Sequence, residues 1–249
     1  MMELLYTEAR LKKYISNNRL ELCFIPQVSA ADEMLVGAQA VLTAKSKKAG
    51  QQIQILSLYL LEQVCRCLEE WKEKQKQPGI IFMKVSASVM ERADIVEKTN
   101  DIFKKYPHTE SMVCFQICET AEVKNWPQFY ENCRQLKQQG IHLALDALGS
   151  EDTEQGLMQE DYFDEIKIDT LLTDHMLNRT MDYLRVLVIT DVSHRNGQLV
   201  SADNVTDQKQ YKLLKKLGCD RVQGTFIDSV KTVKEFEEQY LDLDFRQVV

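Results

Sequence analysis

From residue 80 onward the chain repeats one pattern: a short apolar run, then a stretch whose apolar residues recur at three- and four-residue spacing. "IIFMKVS" (80–86), "MVCFQIC" (112–118), "IHLALDA" (141–147), "DEIKID" (164–169), "QLVSA" (198–202) and "DRVQG" (220–224) read as strands. Residues 55–71, 91–105, 126–140, 173–194 and 206–218 read as helices. Pro78 and Gly79 close the first of these, and Pro127 and Gly140 bracket the third, proline at its first turn and glycine past its end. So persistent an alternation requires parallel strands with right-handed crossovers, closed as a (β/α)8 barrel or left open as a doubly wound sheet. No G-x-G-x-x-G or P-loop string marks an open nucleotide-binding sheet, so the α/β barrel is preferred.

Two strands precede this series. "LELCFIPQV" (20–28) and "MLVGAQAVLT" (34–43) are joined by the polar "SAADE", a hairpin-length connection, and should pair antiparallel. The whole chain, 1–249, is expected to be one domain, because a barrel of this length needs no division and no Pro/Gly/Ser-rich linker interrupts it.

Composition excludes several function classes. The hydrophobic share of 44% suffices for a core, and a net charge of -7 argues against nucleic acid as a partner. No apolar run approaches the ~18–20 residues of a membrane span, and "MMELLYTEARLKKY" lacks the apolar core of a secretory signal, so a cytoplasmic location is expected. Seven scattered cysteines fit reduced, buried thiols better than a disulfide framework. The four histidines have neither metal-ligand nor triad spacing.

In such a barrel chemistry sits at the C-terminal ends of the strands. There the sequence places Gln39, Lys84, Gln116, Asp146, Lys167 and Gln223, each polar within an apolar run. Burying even one such group without a partner costs about 1–3 kcal/mol, so the row should converge. Asp146 raises the sharpest question, as the lone acid at its strand tip.

These strings, taken in order, resemble the EAL domains, the cyclic-di-GMP phosphodiesterases of bacterial signalling. "LVGAQAVL" is similar to their Glu-Ala-Leu strand, "IHLALDALGS" to their Asp-Asp-Phe-Gly strand and loop, "IKID" to their Lys-Ile-Asp strand and "LGCDRVQG" to their last strand. The likeness runs from about Leu20 to Ile227 and implies an EAL-type TIM-like (β/α)8 barrel whose first strand is antiparallel. In the family, carboxylates and an Asn hold two divalent cations that activate water against a phosphodiester. Carried over by position, the Glu of Glu-Ala-Leu falls on Gln39, the Asn on Lys84, the next Glu on Gln116, and the aspartate pair on Asp146 and Ala147. The two glutamates near the seventh strand fall on Ala202 and Val205. Lys167 and Glu119 match, the latter as a loop anchor. The family's phosphate-gripping Arg and the Trp after it fall on Thr43 and Ala44, its Lys-Pro on Ser229 and Val230, and its regulatory Gly-Thr-Gly on Gly149, Ser150 and Glu151.

Mg²⁺ and Mn²⁺ need hard anionic oxygens. Two unit like charges about 4 Å apart cost on the order of 4 kcal/mol at an effective dielectric of 20, and an ammonium beside a divalent ion costs more. The reading is therefore a degenerate EAL domain, with no metal or other cofactor and no catalytic residue, in which Asp146 is kept by pairing with Lys84 or Lys167. It would act as an interaction or regulatory module in cyclic-di-GMP-related signalling, with an unidentified protein partner and weak or absent cyclic-di-GMP binding. Self-association through helices flanking the fifth and sixth strands is implied by the resemblance alone. A non-catalytic nucleotide receptor is the second reading, since Lys84, Lys167 and Asp146 sum to +1. An active phosphodiesterase using Asp203, Glu151 and Asp152 is the third.

Overall fold

The computed structural model describes residues 20–44, 57–148 and 161–242. Eight strands close into a barrel in the order β2 (Leu35–Ala44), β3 (Ile80–Ser86), β4 (Val113–Cys118), β5 (His142–Leu148), β6 (Glu165–Ile168), β7 (Leu199–Ala202), β8 (Arg221–Val222) and β1 (Leu20–Ser29), which returns to β2. β2 through β8 are mutually parallel, and β1 is antiparallel to both its neighbours. The hairpin and the inverted first strand are as the sequence implies.

Helices α1 (Ser57–Glu73), α2 (Ala87–Met90), α3 (Ile95–Lys105), α4 (Trp126–Gln138), α5 (Thr170–His175), α6 (Thr180–Arg195) and α7 (Gln208–Lys216) wrap the outside. Their apolar stripes meet the outward strand residues in one continuous core that includes Leu61, Leu68, Met83, Phe115, Phe129, Leu145, Ile166, Val186, Val200 and Leu214. None of the described helices is long and apolar enough to cross a membrane.

Three features differ from the expected elements. The helix read over 173–194 is two, α5 and α6, because the chain turns at Asn178 and Arg179, whose amides both donate to the His175 carbonyl. The helix read from residue 91 begins only at Ile95, and the separate short α2 precedes it. Beyond the eighth strand, β9 (Lys231–Thr232) pairs with β1 at Cys23 and Phe24, on the edge that β8 meets at Val28 and Ser29, and α8 (Val233–Phe236) brings Phe236 into a tilted aromatic cluster with Phe24 and Trp71.

All seven cysteines are free thiols, six of them buried. Burial pushes Cys65, Cys67, Cys118 and Cys133 up to about 12, so they stay protonated hydrophobes at neutral pH.

Candidate functional site

Strand residues of one parity point into the barrel. Low in the lumen, on the side of β3, β4 and β5, they are apolar: Phe82, Cys114 and Ala144 form a small cluster with Ile80. One pleat higher they turn polar. The register sets Gln39 beside Phe82, Lys84 beside Gln116, Gln116 beside Ala144, and Lys167 beside Ser201. Neighbouring strand ends thus deliver their side chains to one small volume.

What assembles there is a chain of ion pairs. Lys84 Nζ lies 2.8 Å from Asp146 Oδ2, and Lys167 Nζ lies 3.9 Å from Asp146 Oδ1 and 2.9 Å from Asp203 Oδ2. The Lys167 ammonium also donates to Gln39 Oε1 at 3.3 Å, and Gln223 Nε2 donates to the same oxygen at 2.5 Å. Lys167 is 1% exposed and Asp146 6%, whereas the Lys84 side chain keeps 32% of its surface at the mouth. Burial alone would push Lys167 down. The Asp203 and Asp146 carboxylates outweigh it and hold Lys167 above the ordinary lysine value. For Asp203, burial acts upward and the Lys167 ammonium, winning, holds it below the usual carboxylate range.

The loops that carry these groups are locked by backbone. Gln223 N donates to Ala202 O and Val205 N to Gln223 O, both at 3.0 Å, so the ends of β7 and β8 move as one. Gly224 has φ +146, and a Cβ there would stand 2.3 Å from Val205 N, leaving room only for glycine.

A model of the EAL domain matches residues 8–229. The chain belongs to the EAL domain family. The oxygen sensor protein DosP of Escherichia coli K12 is 22% identical over 90% of this chain, which spans 30% of DosP's length. The cyclic di-GMP phosphodiesterase PdeB of Shewanella oneidensis is 31% identical over 51% of this chain and 15% of its own. Among solved structures, the PaMucR phosphodiesterase in complex with c-di-GMP superposes with a TM-score of 0.81 at 18% identity, over 93% of this chain and 99% of that one.

Within this EAL domain the sequence-derived residues divide. Gln39, Lys84, Asp146, Lys167 and Gln223 meet. Gln116 is buried beside them, but neither of its side-chain polar atoms has a hydrogen-bond partner among the described residues. Glu119 stands apart, exposed, with φ 61 at the start of a single turn over Thr120–Glu122. Its backbone carbonyl accepts from Glu122 N, so the anchor is main chain. Thr43 spends its hydroxyl on Cys23 Sγ at 3.3 Å, and Val230 is exposed. Gly149, Ser150, Glu151 and Asp152 lie outside the described residues.

Ala202 and Val205, which stand at the family's two glutamate positions, are 0% exposed and pack in the apolar core. Asp203, a carboxylate of the third sequence reading, reaches the mouth one position on from Ala202. Two lumen residues were missed: Glu165 and Arg221 pair at 2.8 Å below Lys167, with Glu165 2% exposed and pushed up by burial against the opposing pull of Arg221. Parity carries the signal for all three. Glu165 with Lys167, Ser201 with Asp203, and Arg221 with Gln223 are i, i+2 polar pairs on strands that are otherwise apolar.

The two divalent ions that the family implies do not suit this donor set. Asp146 is engaged through both oxygens by ammonium groups, and Asp203 Oδ2 is held by Lys167 while Oδ1 accepts from Asn204 N at 2.7 Å. Gln39 Oε1 already accepts two hydrogen bonds. Two lysines stand against two carboxylates, so the cluster is neutral without an ion.

Proposed function

We propose that this EAL domain is a non-catalytic module that acts through its surfaces in cyclic-di-GMP-related signalling. The observation that carries the reading is the occupation of Asp146 and Asp203 by Lys84 and Lys167. Hydrolysis of a phosphodiester by this fold needs ions that neutralise the leaving and attacking oxygens. A lysine pair fixed on the acids supplies neither a site for such ions nor an activated water.

The surface favours the same reading. Leu177, Met181, Leu184 and Val188 form an exposed apolar stripe along α6 and the turn before it, with Met181 64% and Val188 58% exposed. Their spacing is symmetric about residues 182 and 183. An antiparallel second copy crossing there would set Leu177 against Val188 and Met181 against Leu184, the self-complementarity of a two-fold interface. Self-association is therefore one use of the surface we assign, and a regulatory partner protein would compete for it or bind elsewhere.

The receptor reading loses its main support. With Asp203 counted, the mouth sums to zero rather than +1, and the positive potential that would draw an anionic nucleotide is cancelled. The deciding experiment incubates the purified chain with cyclic-di-GMP in millimolar Mn²⁺ and assays linear product. We expect none above the protein-free control; turnover abolished by Asp146→Asn would overturn the proposal. Calorimetry with cyclic-di-GMP tests the receptor, which requires saturable heat lost in Lys84→Ala.

A further inference from the structure

The barrel has a second concavity at its other end. A cavity of about 350 Å³ opens among the N-terminal ends of β3, β5, β6, β7 and β8, the face away from Lys84 and Asp146. Small-molecule sites begin at about 300 Å³. Phe82, Phe163 and Leu199 supply apolar walls, and Arg221, Gln198 and the Lys137–Asp164–His142 group supply polar ones.

Most of the charge here is already used. Lys137 donates to the carbonyls of Asp161 (3.1 Å) and Tyr162 (3.2 Å) and to Asp164 Oδ1 (2.8 Å). Asp164 Oδ2 accepts from Leu143 N at 3.0 Å and lies 3.6 Å from His142 Nδ1. Lys137 and Arg221 face Asp161, Asp164 and Glu165, so the lining carries no positive excess with which to hold a phosphate or carboxylate.

Two groups of the lining are incompletely used. Arg221 uses one N–H on Glu165, and its guanidinium carbon sits 5.4 Å from the centroid of the Phe82 ring, which fixes the plane while the group lines the cavity. Gln198 is 5% exposed and its Oε1 has no hydrogen-bond partner among the described residues. One lining thus carries a neutralised donor plane and a buried, unspent acceptor, between apolar walls. We propose that this cavity binds an uncharged planar heterocycle of nucleobase size, whose ring N–H donates to Gln198 Oε1 and whose carbonyl or ring nitrogen accepts from Arg221. Arginine serves this chemistry because its fork matches paired acceptors and its plane stacks on rings.

The test titrates adenosine and guanosine into the full chain by calorimetry, with inorganic phosphate as the charged comparison. At least one nucleoside should give saturable heat and phosphate none. Gln198→Leu should weaken binding about tenfold, the loss of one hydrogen bond of roughly 1.4 kcal/mol. Leu199→Trp should abolish it by filling the cavity from an exposed rim position that spares the fold, as its melting curve would verify. Lys84→Ala should leave binding unchanged. No saturable heat with either nucleoside at millimolar concentration, binding equal to wild type in both cavity variants, phosphate binding more tightly than nucleoside, or loss in Lys84→Ala instead would each overturn the proposal.

Discussion

Lys167 is the residue on which the mouth depends, because it contacts both acids and Gln39 from a position without water. Replacing it with Met strands Asp203 and part of Asp146, and unpairing a buried ion costs about 3–5 kcal/mol. We expect Lys167→Met to lose that much in urea unfolding, and Lys167→Met/Asp203→Asn to lose less than the sum of the two single changes. The sign with pH is fixed by the two shifts. Asp203 is held low, so its share is present above the unfolded aspartate value and fades as pH falls through the folded one. Lys167 is held high, so its share is present below the unfolded lysine value and fades as pH rises through the folded one. Gly224→Ala tests the backbone lock and should cost about 3 kcal/mol or more, the scale of a forced strained conformation. At this scale much could be read from residue types: Lys84, Asp146 and Lys167 were placed together by parity and strand order alone. Asp203 entered only as a carboxylate of the active-enzyme reading; its pairing with Lys167 was not legible, because a four-residue strand that ends in a loop offers too few apolar neighbours to fix its register.

At the scale of elements, one tie joins α4, β5 and β6 below the barrel. Lys137 from the last turn of α4 and His142 from the start of β5 both hold Asp164, just ahead of β6. The hydrogen bond to Asp164 raises His142 above its ordinary value against a smaller opposing effect of burial. Burial acts upward on Asp164, but His142 and Lys137 win and hold it at about 2. The tie is complete between the unfolded aspartate and histidine values and weakens as pH rises through the folded histidine value. An NMR titration should therefore find His142 with its midpoint above 6.5. Stability should fall between about pH 6 and 8 in the native chain and be flatter there in His142→Gln. Element type was legible wherever apolar period ran long. The break between α5 and α6 was not, since no Pro or Gly marks it and the turn at Asn178 is imposed by packing Leu172 and Met176 inward before Val186 and Ile189.

For the molecule as a whole, the α6 stripe predicts association. Sedimentation at tens of micromolar should give a dimer for the native chain and a monomer for Met181→Arg/Val188→Glu, both with the same melting temperature; a native monomer at that concentration removes the interface. The closed barrel was readable from strand order, whereas the stripe was hidden because the apolar residues of α6 are spread around the helix rather than gathered on one face, and sequence alone does not say which side faces water. The inverted direction of β1 sets a polarity on the whole. Leu20 pairs with Ala44 at the rim, and Asp242 is tethered by Lys76 on the outer wall beyond α1. Leu20 therefore lies at the end bearing Lys84 and Ser29 at the other, so probes attached to those two residues would report from opposite openings.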